Sequence, residues 1–492
     1  MNKDREIKYA IIIFLFLFNL IIGMSFINEG LFHFDSVILA QATENTYKTG
    51  ILQPALKGRY GSVIINSIVY LPFFLLGQTA DFATRFSSLL FHSLSVVALF
   101  LFIRELFNDS FQAFCASLLL SLTPFYLSPN TYGKEHGASI FFLIFSFYLL
   151  YRGMGKKSYI LVGLSSCLFA FSITIRESML TGIPLFFLLY LKPDISVRPF
   201  RIVFSKERIN FKSLLWVILP FSFIFLLAFF PYLKYEIYRA LYIKDNVSAY
   251  FLGLFSPVFK LALRDINLSI TPFIFVLFFI GLFRMALDKK LFFTLFFLLW
   301  FMLLFYFGNL SSYEARYLDM VAIPVYVFVS YALSRLYRRY RILTPAILIC
   351  FVLYMFVRAY PLLEFRHRFN GEKQFALYIK GKTEDNAVII AMDDAPFIEY
   401  YGGRKVIGCP IGDAGATEGF IKTVKGLLKD KKPVYLIESG LQYDFSGVVK
   451  KSIIDNFAIN YAGEGLAEDY HKCNLGFNTY CHKFFKLGLK NN

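Results

Sequence analysis

The sequence predicts a polytopic α-helical membrane protein that ends in a small α/β domain. The chain of 492 residues is 57% hydrophobic, contains 61 phenylalanines and has a mean hydropathy of +0.55, which excludes an ordinary soluble globule. Runs such as "LFFTLFFLLWFMLLFYF" are apolar all round and, with their flanks, approach the length that crosses a bilayer. After residue 360 the pattern changes to short strands and amphipathic helices.

Apolar runs predict about eleven transmembrane helices and place the N-terminus in the cytoplasm. The predicted spans are 8–27, 82–103, 112–128, 138–152, 159–173, 177–191, 214–232, 269–285, 291–308, 317–334 and 342–358. With this orientation every loop assigned to the cytoplasm, except the first, is clearly basic, as the positive-inside rule requires. The net charge of +17 therefore indicates cytoplasmic loops and contact with membrane lipids, not nucleic acid. No small-residue cleavage site follows the first run, so we interpret it as a span and not as a signal peptide.

Two predicted regions lie outside the membrane spans. Within the membrane module, residues 1–360, the outer loop 28–81 is semi-apolar, and we expect helices that lie along the membrane interface. Residues 361–492 predict an extracytoplasmic α/β domain, since an odd number of spans places them outside. In this domain "NAVIIAMDD" and "KPVYLIES" predict buried parallel strands, and "EGFIKTVKGLLKD" predicts the amphipathic helix between them.

The cysteines are predicted to be packing residues in the membrane spans and to form either a disulfide or a metal site outside them. Cys115, Cys167 and Cys350 fall in predicted spans. Cys473 and Cys481 are close enough in sequence for a local disulfide in an oxidising compartment. With His471 and His482 nearby, a metal site is the alternative, although the spacing matches no familiar zinc pattern.

Charges of both signs recur on the outer side of the predicted bundle. Asp35 follows the first span, and either caps a helix or faces a site. Glu135 either pairs locally with its basic neighbours or serves a site, and Arg176 and Glu177 form either an ion pair or part of a site. Asp319 is at least as consistent with a solvated loop charge as with a site residue. Since charges at the membrane boundary are costly unless paired or hydrated, their recurrence on one side favours a functional site.

The residue types suggest a chemistry for that site. Arginine binds phosphate through two hydrogen bonds, so outer cations suit a lipid phosphate or pyrophosphate. A carboxylate in the same place suits a general base that activates an acceptor hydroxyl or amine. The combination predicts transfer of a group from a lipid-linked phosphate donor, with the phosphate as the leaving group.

At these residues the sequence resembles the membrane GT-C glycosyltransferases, in particular the branch of protein O-mannosyltransferases and lipid A aminoarabinose transferases. Asp35 stands where the family begins its first outer loop with Asp-Glu, although Ser36 replaces the second acid. The remaining matches are Lys57 and Arg59 in "LKGRYGSVIINS", Glu135 in "YGKEHG", Arg176 in "ITIRES", and Glu314, Arg316 and Tyr317 in "EARYLDMVAIP".

The resemblance implies a fold, a donor and a set of roles. It implies a GT-C helix bundle that uses a polyprenyl- or dolichyl-phosphate sugar and a protein, lipid or glycan acceptor. Asp35 and Glu135 become the catalytic candidates, with His33, His136 and Glu314 in support. Donor phosphate would be bound by Lys57, Arg59, Arg176, Arg316 and Tyr317. No cofactor is predicted; a divalent metal is compatible with the resemblance, but the sequence shows no dense carboxylate cluster outside the membrane.

Two other functions are weighed against the transferase. A transporter or flippase for a lipid-linked or anionic substrate would also carry charges at membrane depth. Against it, the charges gather on one side and the two halves show no symmetry. A non-catalytic scaffold that presents the outer domain to a partner would tolerate loss of these charges.

Overall fold

The fold is seen in a computed structural model, which describes residues 3–55, 59–197, 200–203, 211–229, 272–308, 318–410, 414–468 and 479–490. The chain forms two compact units. One comprises Met1–Ile27 and Ala42–Glu364, and the other comprises Asn28–Gln41 and Phe365–Asn492. We call them the membrane unit and the C-terminal unit.

The membrane unit is built from helices. In chain order they are α1 (Lys3–Ser25), α2 (Phe34–Thr49), α3 (Tyr60–Leu75), α4 (Ala80–Phe107), α5 (Ser110–Ser121), α6 (Pro124–Thr131), α7 (His136–Gly155), α8 (Tyr159–Ile175), a 3₁₀ helix (Glu177–Gly182), α9 (Ile183–Leu191), α10 (Phe211–Phe229), α11 (Pro272–Leu287), α12 (Leu291–Gly308), α13 (Asp319–Arg339) and α14 (Leu343–Arg368). The first residues of α2 and the last of α14 belong to the C-terminal unit. A two-stranded antiparallel ribbon, β1 (Asp194–Val197) with β2 (Phe200–Val203), follows α9.

The predicted fold class, a polytopic α-helical membrane protein, is confirmed. Every predicted span overlaps one of these helices. Within the described residues five helices, α1, α4, α7, α13 and α14, are long and apolar enough to cross a membrane, and the bent pair α5 and α6 adds a sixth. The chain is an integral membrane protein.

Two predicted spans differ in detail from the helices. The span at 112–128 is a bent pair, because α5 and α6 meet at an angle of 58°. Thr123 is extended at the break and Pro124 follows it, so the proline begins α6 where it needs no amide donor. The span at 177–191 is a 3₁₀ helix that continues into the short α9.

The predicted outer loop contains two helices, α2 and α3, and side-chain amides tie them to the bundle. Asn66 of α3 donates from Nδ2 to Thr43 Oγ1 of α2 and to Thr84 Oγ1 of α4, both at 2.8 Å. The Tyr47 hydroxyl donates to the Ser67 carbonyl at 2.8 Å. These bonds fix the start of α3 against α4. The interfacial placement of these helices remains a prediction.

One close approach of backbones organises α11 and α13. A Cβ added to Gly281 of α11 would lie 1.9 Å from the Phe328 carbonyl oxygen of α13. Around this contact Phe278 packs edge-on against Phe328, with ring centroids 5.4 Å apart. Small residues are what allow two membrane helices to pack backbone to backbone.

The C-terminal unit is an α/β layer with a mixed sheet. Its elements are α15 (Gly371–Lys382), β3 (Val388–Ala391), α16 (Ala395–Tyr400), β4 (Lys405–Gly408), α17 (Ala414–Lys429), β5 (Val434–Ile437), a 3₁₀ turn (Glu438–Leu441), α18 (Val448–Asn456), β6 (Phe457–Glu468) and β7 (Thr479–Leu489). The strand order is β4-β3-β5-β7-β6. As predicted, β3 and β5 are buried and parallel, and α17 lies between them in sequence.

The antiparallel half of this sheet is the part that the sequence pattern did not indicate. β7 pairs with β5 and with β6, and β6 and β7 form a long hairpin. His471 and Cys473 of the proposed disulfide or metal site lie outside the described residues. His482 is buried, and its ring centroid lies 5.4 Å from that of Phe375.

We expect Gly281→Ala to destabilise the membrane unit by about 1–3 kcal/mol, because the new methyl group overlaps a backbone carbonyl that cannot move aside. The thermal unfolding midpoint of the detergent-solubilised protein measures this. Gly155→Ala is the control, since a Cβ there has nothing within 4 Å. Equal midpoints for the two variants would show that α11 and α13 are not in backbone contact.

Candidate functional site: an ion cluster where four helices begin

Arg59 lies at the centre of a cluster of charged side chains in the membrane unit. Its Nε and Nη2 donate to the two carboxylate oxygens of Glu177, at 3.0 and 3.1 Å. Its Nη1 donates to Oε1 of Glu135 at 2.6 Å. One guanidinium therefore bridges two carboxylates, one of them through the paired geometry that only arginine offers.

Each member of this cluster stands where a helix begins. Arg59 precedes α3, Glu135 precedes α7, and Glu177 opens the 3₁₀ helix. A carboxylate is stabilised at a helix N-terminus, because the backbone amides there point towards it. The side chains of Arg59, Glu135 and Glu177 are 13%, 6% and 19% exposed, so the ion pairs are largely shielded from water.

A second pair adjoins the first. His136 hydrogen-bonds through Nδ1 to Oδ2 of Asp319, and both side chains are buried. Oδ1 of Asp319 accepts the Met320 amide at 2.7 Å, at the start of α13. Since Glu135 and His136 are consecutive, the contacts run from Glu177 through Arg59 to Asp319, and we call these five residues the ion cluster.

The turn before α7 is held by buried polar groups. Asn130 Oδ1 accepts the Gly137 amide at 3.0 Å and the Ser88 hydroxyl at 3.1 Å. Ser88 also lies in hydrogen-bonding contact with the Lys134 carbonyl. A Cβ on Gly137 would come within 2.7 Å of both Asn130 Oδ1 and the His92 amide nitrogen, so the turn packs directly on α4. This support fixes Glu135 and His136.

The sequence indicated part of this cluster. Arg59, Glu135 and His136 were candidates, and the structure brings Glu135 together with Arg59. The sequence does not decide between a functional role and an ion pair for Glu177, and the structure shows an ion pair with Arg59. For Asp319 the interpretation as a solvated loop charge is wrong: the residue is buried. Its position next to "VAIP" at a helix start was the signal that could have found it.

Of the other candidates of the membrane unit, the structure describes Arg176. Arg176 is buried, with an extended backbone between α8 and the 3₁₀ helix. Lys57, Glu314, Arg316 and Tyr317 lie outside the described residues. Among the described residues no group of three or more His, Cys, Asp or Glu side chains is arranged to hold a metal ion.

Asp35 belongs to the C-terminal unit, at the second position of α2. Of the two alternatives for Asp35, the role of helix cap is wrong, because His33 occupies the capping position before Phe34. His33 Nδ1 accepts the Asp35 amide at 3.1 Å, and its carbonyl accepts the amides of Ser36 and Val37 at 2.9 and 3.2 Å. The carboxylate of Asp35 lies 3.7 Å from the same imidazole and is 13% exposed.

The fold is similar to that of solved GT-C glycosyltransferases, as the sequence resemblance predicted. Within the chain, residues 65–200 match the family model described as dolichyl-phosphate-mannose-protein mannosyltransferase. No curated protein sequence matches the chain.

Three solved structures illustrate the likeness of fold. ArnT from Cupriavidus metallidurans bound to undecaprenyl phosphate is 11% identical, with 97% of each chain covered and a TM-score of 0.60. The Archaeoglobus fulgidus oligosaccharyltransferase complex with Zn and sulfate is 14% identical over 91% of this chain and 71% of its own, with a TM-score of 0.56. The mycobacterial arabinofuranosyltransferase AftD is 10% identical over 98% of this chain and 40% of its own, with a TM-score of 0.53.

We expect Arg59→Ala to destabilise the membrane unit by about 3 kcal/mol, because it leaves two shielded carboxylates without their shared cation. Arg59→Lys should recover only part of this, since an ammonium cannot bond both oxygens of Glu177 in one plane. Thermal unfolding in detergent measures both variants.

The control is Arg338→Ala, which breaks an ion pair with Asp109 at 3.4 Å in which the arginine is 61% exposed. That loss should stay below about 1 kcal/mol. Similar losses for Arg59→Ala and Arg338→Ala would contradict a shielded ion cluster.

Proposed function

We propose that the protein is a membrane glycosyltransferase that moves a sugar from a polyprenyl- or dolichyl-phosphate donor to an extracytoplasmic protein, lipid or glycan acceptor. The observation that carries the proposal is the GT-C fold over nearly the whole chain, joined to the mannosyltransferase family match over residues 65–200. The basic loops support a cytoplasmic N-terminus, with the chemistry on the opposite side.

In this proposal Asp35 is the general base. It takes the proton from an acceptor hydroxyl or amine, and the freed electron pair attacks the anomeric carbon of the sugar. The bond from that carbon to the phosphate oxygen breaks, and the lipid phosphate leaves with the bonding electrons. The position of Asp35 in the first outer loop supports this role, as does a carboxylate that is mostly shielded but not sealed.

The cations serve the leaving phosphate. Arg59, Arg176 and Arg316, with Lys57 and Tyr317, would bind it or offset its charge. The ion cluster suggests a division of labour for Arg59, because Glu135 and Glu177 fix the plane of its guanidinium. Glu135 then acts as a positioning residue for Arg59, and His136 and Asp319 hold Glu135 in turn through the start of α7.

The reaction is tested with purified protein in lipid nanodiscs. The donor panel is polyprenyl phosphate carrying mannose, aminoarabinose or arabinofuranose, with membranes of the source cells as the acceptor. Mass spectrometry follows release of polyprenyl phosphate and the new glycosylated product. Movement of a donor across the bilayer of proteoliposomes, without release of its phosphate, would instead establish a transporter or flippase.

We expect Asp35→Asn to lower kcat at least about a hundredfold, because the amide cannot accept the acceptor's proton. Binding of the donor, measured by lipid co-purification, should stay within twofold of wild type. Asp81→Asn is the matched control, since Asp81 occupies the first turn of α4 and pairs with Arg85 at 2.8 Å. Turnover by Asp35→Asn equal to that of Asp81→Asn would remove Asp35 from the mechanism.

A further inference from the structure

The segment that precedes Asp35 is bound by the C-terminal residues of the chain, from Phe365 onwards. Residues 28–41 form one compact unit with Phe365–Asn492. Leu31, Phe32 and His33 are each at most 2% exposed, so this stretch is a buried part of that unit and not a surface loop.

Both backbone polar groups of Leu31 are held by side chains that lie far away in sequence. The Leu31 amide donates to the Tyr401 hydroxyl at 2.9 Å. The Leu31 carbonyl accepts from Asn370 Nδ2 at 3.0 Å. A residue bonded on both sides can neither slide nor rotate, so Leu31 is a fixed point four residues before Asp35.

The neighbouring residues add contacts to the start of α15 and to the last turn of α14. Lys373 Nζ donates to the Glu29 carbonyl at 3.0 Å, and Gln374 Nε2 donates to Glu29 Oε1 at 3.0 Å. The Arg366 guanidinium carbon lies 4.0 Å from the centre of the Phe32 ring, where it is attracted to the ring face. The last turn of α14 and the start of α15 thus both hold residues 29–32.

Glycine at position 30 suits this fit. A Cβ there would lie 2.8 Å from Lys373 Cδ and 3.1 Å from both Asn370 Nδ2 and Tyr401 Oη. A larger residue would therefore force these three side chains to shift.

We infer that Tyr401 and Asn370 are positioning residues that set the location of Asp35 for the transfer reaction. Through them the part of the C-terminal unit that follows Phe365 contributes to catalysis. The connection from these residues to Asp35 is short. Leu31 is fixed by its two hydrogen bonds. His33, two residues later, precedes α2 and accepts the amide of Asp35, which lies in the first turn. The inference rests on the proposed function, in which Asp35 is the base, and adds the residues that orient it.

The test uses the full-length protein and two substitutions. Tyr401→Phe removes only the hydroxyl that accepts the Leu31 amide. Asn370→Asp keeps the oxygen that caps α15 by accepting the Lys373 amide, but loses the donor to the Leu31 carbonyl. The matched control is Tyr435→Phe, which breaks a hydroxyl bond of 2.8 Å to Glu384 elsewhere in the same unit.

The first measurement is hydrogen–deuterium exchange of the peptide that covers residues 28–36. We expect faster exchange in Tyr401→Phe and Asn370→Asp and wild-type exchange in Tyr435→Phe. Unchanged exchange in the first two variants would overturn the inference without reference to activity.

The second measurement is turnover of the panel donor that wild type uses fastest. A displaced base lowers kcat and leaves donor binding alone, so we expect about a tenfold loss of kcat or more at unchanged KM for the donor. In an Asp35→Asn background Tyr401→Phe should cause no further loss of kcat.

The outcomes separate the two proposals. If Asp35→Asn abolishes turnover while Tyr401→Phe and Asn370→Asp turn over like Tyr435→Phe, the positioning role is wrong and the general base stands. If the Asp35→Asn variant turns over the donor at the wild-type rate, Asp35 is not the base, and the proposed positioning role of Tyr401 and Asn370 is wrong as well. An increase in donor KM without loss of kcat would place Tyr401 and Asn370 in donor binding and overturn their role as positioning residues.

Discussion

The bond between one arginine and two carboxylates is the constraint on which the membrane unit's candidate site depends. Three charges that are mostly removed from water are tolerable only when each has an opposite charge at hydrogen-bond distance. Arg59 satisfies this for Glu135 and Glu177 at once. Because each partner opens a different helix, the ion pairs also fix where α3, α7 and the 3₁₀ helix begin. The same bonds therefore serve both the stability of the bundle and the geometry of the site.

Much of the fold was predictable, because hydropathy identifies the apolar segments that are able to cross a membrane. Every predicted span overlaps a helix, and the buried strands β3 and β5 with α17 follow from short apolar runs and an amphipathic pattern. The break at Thr123 was missed although Pro124 signals it, because apolar composition continues across it. The hairpin of β6 and β7 was missed because its strands, with glycines at positions 463 and 465, do not alternate cleanly.

The candidate site was predictable in its residue types but not in its pairing. Sequence places Arg59 and Glu177 far apart, and nothing in either neighbourhood indicates that they bond. The sequence leaves Asp319 open between a site and a solvated loop, because a loop charge and a buried charge at a helix start have similar local sequences. His33 and Asp35 were both noticed, but which of them caps α2 depends on the position of one ring nitrogen.

The discontinuous C-terminal unit has a consequence for how the chain is made. Leu31 and Tyr401 are 370 positions apart, so the segment that carries Asp35 leaves the ribosome long before its binding residues exist. At ordinary rates of synthesis the interval is about 20–70 s. During that time residues 28–33 lack the partners that bury them, while successive helices are being inserted. The proposed base therefore gains the residues that position it only after residue 401 has been made, so a chain that stops before that residue lacks them.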